Sequence, residues 1–288
     1  MNMKKLLAGL ALASSGFFAT GASAALITHW NWTTDGGFLH EAGECSNGVT
    51  HASCSLAYDN TNGVTPSTIA NTSSVMTWGT PSTSNASTGY QSGLQGVFGA
   101  SGAGPYDAEL LGSGPVNIPA FQQLVTNMDW TNTGAAIHYN NIITTDGGYM
   151  DTSLLRTSFQ LLPPPFIGAL NTIDIDITFN ETPNINNCTF DNPHGTSCDD
   201  IFTISALPPP IQFIYANIKY TLQFRFADGP GAIVDGNTIY TAEDAPGTAV
   251  MFVQARIDAV PVPVPGALAL MGVGLMLLGW RIRERKVS

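Results

Sequence analysis

The chain has 288 residues, 44% hydrophobic and 11% charged, with a formal net charge of −11. Residues 25–260 hold twenty acidic side chains against four basic ones (Arg156, Lys219, Arg225 and Arg256), a net of −16. Such a surface repels DNA, RNA and anionic headgroups, which excludes a nucleic-acid role, and so few cations leave a phosphate-handling enzyme without its clamp.

Lys4 and Lys5 precede an apolar stretch over 6–18, and Ala22-Ser23-Ala24 closes it. This is the pattern of a secretory signal peptide, with cleavage by signal peptidase expected between Ala24 and Ala25. The reading divides the chain into a signal peptide (1–24), an exported domain (25–259) and a C-terminal tail (260–288). All four cysteines lie in the exported part, in an oxidising compartment. They allow three pairings, of which the local ones, Cys45–Cys54 and Cys188–Cys198, are favoured; each closes a polar loop. Zinc is the competing reading, with His51 and His194 inside the loops, but the C-x8-C and C-x9-C spacings do not suit a zinc ribbon or finger.

Helical periodicity is almost absent from the exported part. Strands are predicted over 75–80, 135–144, 154–161, 172–179, 201–206, 211–216, 219–226, 238–241 and 249–258. Residues 172–179 alternate, with Ile173, Ile175, Ile177 and Phe179 on one face and Asp174 and Asp176 on the other. Turn signals such as Asp228-Gly229, Asp235-Gly236 and two Pro-Pro-Pro runs separate the strands. Residues 60–113 are rich in Gly, Ser and Thr and read as loop with one strong strand. Many short strands with regular turns predict an all-β fold, an antiparallel, jelly-roll-like β-sandwich.

An internal echo runs through the domain. His29-Trp30-Asn31 leads to Asp35-Gly36-Gly37, and His138-Tyr139-Asn140 leads to Asp146-Gly147-Gly148. Asp-Gly-Gly reads as a turn, so each copy is expected to be a strand entering a hairpin. His29 and His138 read as strand histidines hydrogen-bonded to neighbours, since no carboxylate stands at a fixed offset to orient either ring. Asp174 and Asp176 sit roughly 6.5–7 Å apart along one strand face, a spacing open to glycoside hydrolysis, but alternation already accounts for them as a solvated face. Asp191, Asn192, Asp199 and Asp200 gather oxygen ligands of the kind Ca2+ takes, without an EF-hand loop. Trp30, Trp32, Trp78 and Trp130 offer either sugar-stacking surfaces or core, and the shared parity of Trp30 and Trp32 favours core. No G-x-S-x-G, H-E-x-x-H or Gly-rich phosphate loop occurs, so no catalytic residue is assigned and a non-enzymatic protein is expected.

The tail has three parts. Val262-Pro263-Val264-Pro265 forms a short motif within a proline-rich stalk. An apolar run over 266–280 is predicted to be a single transmembrane helix. Its fifteen residues span ~22 Å as a helix, short of a ~30 Å hydrocarbon core, with Arg281 and Arg283 placed to snorkel. The basic end 281–288 predicts a cytoplasmic terminus and argues against a GPI signal.

This order of parts resembles the C-terminus of PEP-CTERM proteins of Gram-negative bacteria. Pro263-Val264-Pro265 stands where Pro-Glu-Pro is usual. The resemblance implies an intermediate anchored in the inner membrane, cleavage by an exosortase-like protease, and a final place at the cell surface or outside it. Thr28-His29-Trp30-Asn31 also resembles the signature of the THxN-type subgroup; His138-Tyr139-Asn140 fits it apart from the threonine. The subgroup implies a structural or adhesive protein linked to exopolysaccharide or biofilm, with a carbohydrate-binding module, Ca2+-dependent or not, as the alternative. It brings no catalytic residues and no cofactor.

Overall fold

The computed structural model describes residues 25–40, 44–46, 56–59, 66–79, 91–108, 116–141, 149–162, 172–182, 188–195, 198–242, 247–262 and 272–277. The predicted signal segment lies outside them, including Ala24 at its cleavage site, as do His51, Cys54 and the motif residues Pro263, Val264 and Pro265. Eighteen strands run through the described residues: β1 (His29–Leu39), β2 (Glu44–Ser46), β3 (Ala57–Asp59), β4 (Thr72–Ser73), β5 (Val75–Trp78), β6 (Ser92–Val97), β7 (Tyr106–Ala108), β8 (Val116–Ile118) and β9 (Leu124–Val125), then β10 (Thr131–Asn140), β11 (Tyr149–Leu162), β12 (Ile173–Asn180), β13 (Asp200–Ile204), β14 (Ile211–Tyr215), β15 (Ile218–Ala227), β16 (Ala232–Asp235), β17 (Thr238–Thr241) and β18 (Gly247–Pro261).

Two sheets and a separate β7–β8 hairpin result. One sheet orders β16-β17-β13-β12-β11-β1-β4, with β2 added to β11 and β9 to β1; the other orders β14-β15-β18-β10-β6-β5-β3. The all-β antiparallel sandwich is thus present, with nine and seven strands rather than the eight in total of a jelly roll. Two units can be distinguished. The larger takes in Thr28–Phe213 and Thr221–Asp258; the smaller takes in Ile27, Ile214–Tyr220 and the chain from Ala259. In the smaller unit, Ala216 and Asn217 turn the chain at φ 53° and 61°. There the Val262 N–H donates to the Asn217 carbonyl at 2.8 Å, and the Ile27 N–H to the Tyr220 hydroxyl at 3.0 Å.

In the larger unit the β12 alternation is realised: Ile175, Ile177 and Phe179 are buried while Asp174, Asp176 and Thr178 are exposed. Phe179 stacks on Phe202 of β13 at 4.5 Å between ring centroids and meets Trp78 of the facing sheet at 5.2 Å. Trp30, Trp32 and Trp78 are each 0% exposed, which settles them as core. Burying such rings is the largest single apolar contribution a side chain makes. Packing between the sheets is nevertheless incomplete. A cavity of about 80 Å³ is lined almost wholly by apolar atoms, among them Ala136, Leu155, Ile173, Phe224 and Phe226. Ala136 stays partly exposed although it lies mid-strand on β10.

Two expectations are corrected. Asp35-Gly36-Gly37 is no turn: it runs straight through β1, opposite Ser158, Thr157 and Arg156 of β11. The glycines serve close approach instead. A Cβ on Gly36 would lie 2.6 Å from the Phe98 ring, and one on Gly37 would lie 2.8 Å from the Ser73 carbonyl oxygen. Asp35 turns its carboxylate to the backbone N–H and hydroxyl of Thr68. The second copy, Asp146-Gly147-Gly148, lies outside the described residues. Within 60–113 a strand beyond the one expected appears: β6 is a central strand between β5 and β10, all six residues buried. Buried on both faces, it shows no alternation, and its Ser, Gly and Gln disguise it. Of the apolar run 266–280, residues 272–277 are helical and the rest lie outside the described residues. Among the described residues no helix is long and apolar enough to cross a membrane.

Candidate functional site

The two H-x-N segments meet different fates. On β1, Trp30 and Trp32 point inward, which turns His29 and Asn31 outward, and Thr28, just before the strand, is exposed as well. His29 Nδ1 lies 3.0 Å from the Thr28 hydroxyl, and Asn31 Oδ1 accepts from Ser101 Oγ at 3.0 Å and Gln123 Nε2 at 2.6 Å. On β10, His138 is 0% exposed and stacks on Trp78, with Phe179 and Phe202 edge-on. Its Nδ1 lies 2.9 Å from Thr241 Oγ1, whose O–H donates to the Asp200 carbonyl at 3.4 Å. That hydroxyl's proton is spent, so His138 donates from Nδ1 and carries no proton on Nε2, which has no hydrogen-bond partner. Burial pushes the His138 pKa down to about 3, so the ring is neutral. Asn140 Nδ2 donates to the buried Asp200 carboxylate at 3.0 Å, and that carboxylate also accepts the Thr182 N–H at 2.9 Å. His138 and Asn140 therefore clamp one sheet to the other through β13 and β17.

Beside the clamp, Cys188 and Cys198 form the expected disulfide, with Cα atoms 5.3 Å apart. Cys45 stands on β2, and its expected partner Cys54 lies outside the described residues. The disulfide removes both sulfurs from any zinc reading of this loop. The calcium grouping does not assemble as an oxygen shell. Asp191 is exposed, Asp200 faces Asn140 and Thr182, and Asp199 Oδ2 is taken by His194 through its Nδ1 at 2.9 Å and its backbone N–H at 3.2 Å. Among the described residues no three His, Cys, Asp or Glu side chains converge as a metal site. Asp174, half of the carboxylate pair, is held by Arg156 through two contacts of 2.7 Å, and this hydrogen bonding lowers its pKa.

A further cluster lies on the outward face of β15 and β18, next to Trp130. Arg225 sits over the Trp130 ring with its guanidinium carbon 4.6 Å from the centroid, and Arg256 lies 5.9 Å from the same ring. Arg225 Nε donates to Gln254 Oε1 at 2.8 Å, and Gln254 Nε2 donates to Asn132 Oδ1 at 2.8 Å. Arg256 is paired with Asp258 at 2.8 Å, and Gln223 donates to the same carboxylate at 3.2 Å. Sequence reasoning singled out Trp130 as one of four tryptophans and the arginines only as charges. The outward parity of Gln254, Arg256 and Asp258 was the signal available. The convergence of β15, β18 and the approach to β10 on one ring was not.

Residues 261–286 match the PEP-CTERM protein-sorting motif. No curated protein matches the chain. The matched span includes Pro263-Val264-Pro265. The motif indicates an exported protein with a membrane-anchored sorting signal, processed by exosortase-type machinery.

Proposed function

We propose that the β-sandwich acts outside the cell as a non-enzymatic, adhesive or structural component of an exopolysaccharide or biofilm matrix. An exosortase-like protease removes the tail, and the protein then leaves the inner membrane. The observation that carries this reading is the sorting motif at 261–286 joined to a β-sandwich domain. The strongly acidic composition of 25–260 and the absence of catalytic motifs from the sequence support it. Thr28, His29 and Asn31, exposed together at the start of β1, support placement in the THxN-type subgroup. A second reading, a carbohydrate-binding module, is favoured by the aromatic and amide-rich face around Trp130.

Protein recovered from the culture medium is expected to lack residues 266–288 by mass spectrometry. It is also expected to co-sediment with purified matrix polysaccharide. An intact tail on the released protein would refute the processing step. Failure to co-sediment with any polysaccharide would refute the matrix role.

A further inference from the structure

We propose that the face around Trp130 is a receptor for the carboxylate of an acidic polysaccharide, with Arg225 as the residue that binds it. This rests on the matrix reading above and narrows it to uronate-type chains.

The argument begins with charge. The exported part has four basic side chains. Arg156 is paired with Asp174 and Arg256 with Asp258. Lys219 belongs to the smaller unit. Arg225 has no carboxylate partner among the described residues, although acidic groups outnumber basic ones five to one in that part of the chain. An unpaired arginine in so acidic a domain is the group with the most to gain from a carboxylate brought by a ligand.

Geometry is the second strand of the argument. Arg225 is exposed, yet its guanidinium is held in place. Its guanidinium carbon lies over the Trp130 ring, 4.6 Å from the centroid, and the Gln254 acceptor takes Nε at 2.8 Å. Asn132 in turn orients Gln254, accepting from its Nε2 at 2.8 Å. With Nε occupied, the two terminal amino groups remain, side by side in the plane of the fork. They match the two oxygens of one carboxylate in a bidentate pair. Stacking on an aromatic ring removes rotamer freedom that binding would otherwise take away.

Neighbouring groups set the selectivity. The charges facing the site are Arg256, Asp258 and Asp129; the last lies near enough to Arg256 to act on it through its field. Arg256 is neutralised by Asp258. Arg225 is therefore the cation of this group with no carboxylate in direct contact, and the amides of Gln223, Gln254 and Asn132 offer hydrogen bonds suited to sugar hydroxyls. Neutral glycans lack the carboxylate.

The test uses the full chain, purified in detergent, with polygalacturonate as probe. Methyl-esterified polygalacturonate and dextran serve as uncharged controls. Binding is expected to polygalacturonate, to weaken with added salt and to fall at least about tenfold on the esterified polymer. R225Q is expected to lose about tenfold or more, and R225K nearly as much, because lysine keeps the charge but not the fork. Arg225 is exposed, so both variants are expected to melt like the parent, and melting curves confirm that they fold. Equal binding to the esterified and free polymers, or a full-strength R225K, would overturn the carboxylate receptor and leave the matrix reading standing. Binding to none of the three polymers would overturn the receptor alone; only failure on native matrix polysaccharide as well brings down the matrix reading.

Discussion

His29 and Asn31 stand on the outer side of β1, whereas His138 and Asn140 are closed between the sheets on β10. The difference follows from what lies at the intervening and following positions. On β1 the tryptophans Trp30 and Trp32 have the larger apolar surface and take the inward face, leaving His and Asn to water. On β10 both faces are covered. Tyr139 is buried on the opposite face from His138, donating its hydroxyl to Gln95 at 2.5 Å, and burial raises its pKa, so it stays protonated. No solvent face remains there for His138 and Asn140, so they must find partners inside. Thr241 and Asp200 supply them. The same three-letter pattern thus yields an exposed rim in one strand and an inter-sheet clamp in the other.

Substitutions can break this contrast. Trp32→Ala is expected to be the most damaging on β1, about 3–5 kcal/mol, since Trp32 packs on Phe121 and Phe159. Chemical denaturation would show it as a lower midpoint. Asn140→Ala comes next, at about 2–3 kcal/mol, because it strips a donor from the buried Asp200 carboxylate. A loss under about 0.5 kcal/mol would mean the clamp contributes nothing.

His138 gives a pH signature. Its folded pKa of about 3 lies below the ordinary 6.5, so the folded state binds fewer protons than the unfolded chain. The neutral ring carries no penalty above pH 6.5. Stability is lost as pH falls below 6.5, and the loss continues to pH 3. By pH 5 the loss is about 2 kcal/mol relative to His138→Gln. Parallel stability–pH curves for the two proteins between pH 7 and 5 would disprove the buried neutral ring. By contrast, His29→Ala on β1 is expected to change stability by less than about 0.5 kcal/mol.

How far the molecule can be read from sequence varies with the surroundings of each strand. β12 was legible because one face meets water and the other the core, which writes an alternation into the residues. β6 was not, because a strand buried on both faces needs no polar partner side, and its Gly96 answers to the Phe98 ring rather than to the backbone. Asp35-Gly36-Gly37 misled for the same reason: glycine serves turns and close approach equally, and only the neighbour decides which. The Cys188–Cys198 pair was legible from spacing. The clamp was not, since Thr241 lies 103 residues beyond His138. The Arg225 face was hidden too, because Trp130 and its two arginines come from separate strands.

By itself the sequence determined the compartment and the class. Its C-terminal stretch carries the sorting motif in linear order, and the period-two patterns and turn residues specify antiparallel strands. Such information is local, so one chain suffices to read it. The tertiary structure alone decided which histidine is buried, which tryptophan carries an arginine, and which arginine among the described residues has no carboxylate partner. Those outcomes depend on contacts between strands far apart in the chain, and burial, not residue type, sets the chemistry of each group.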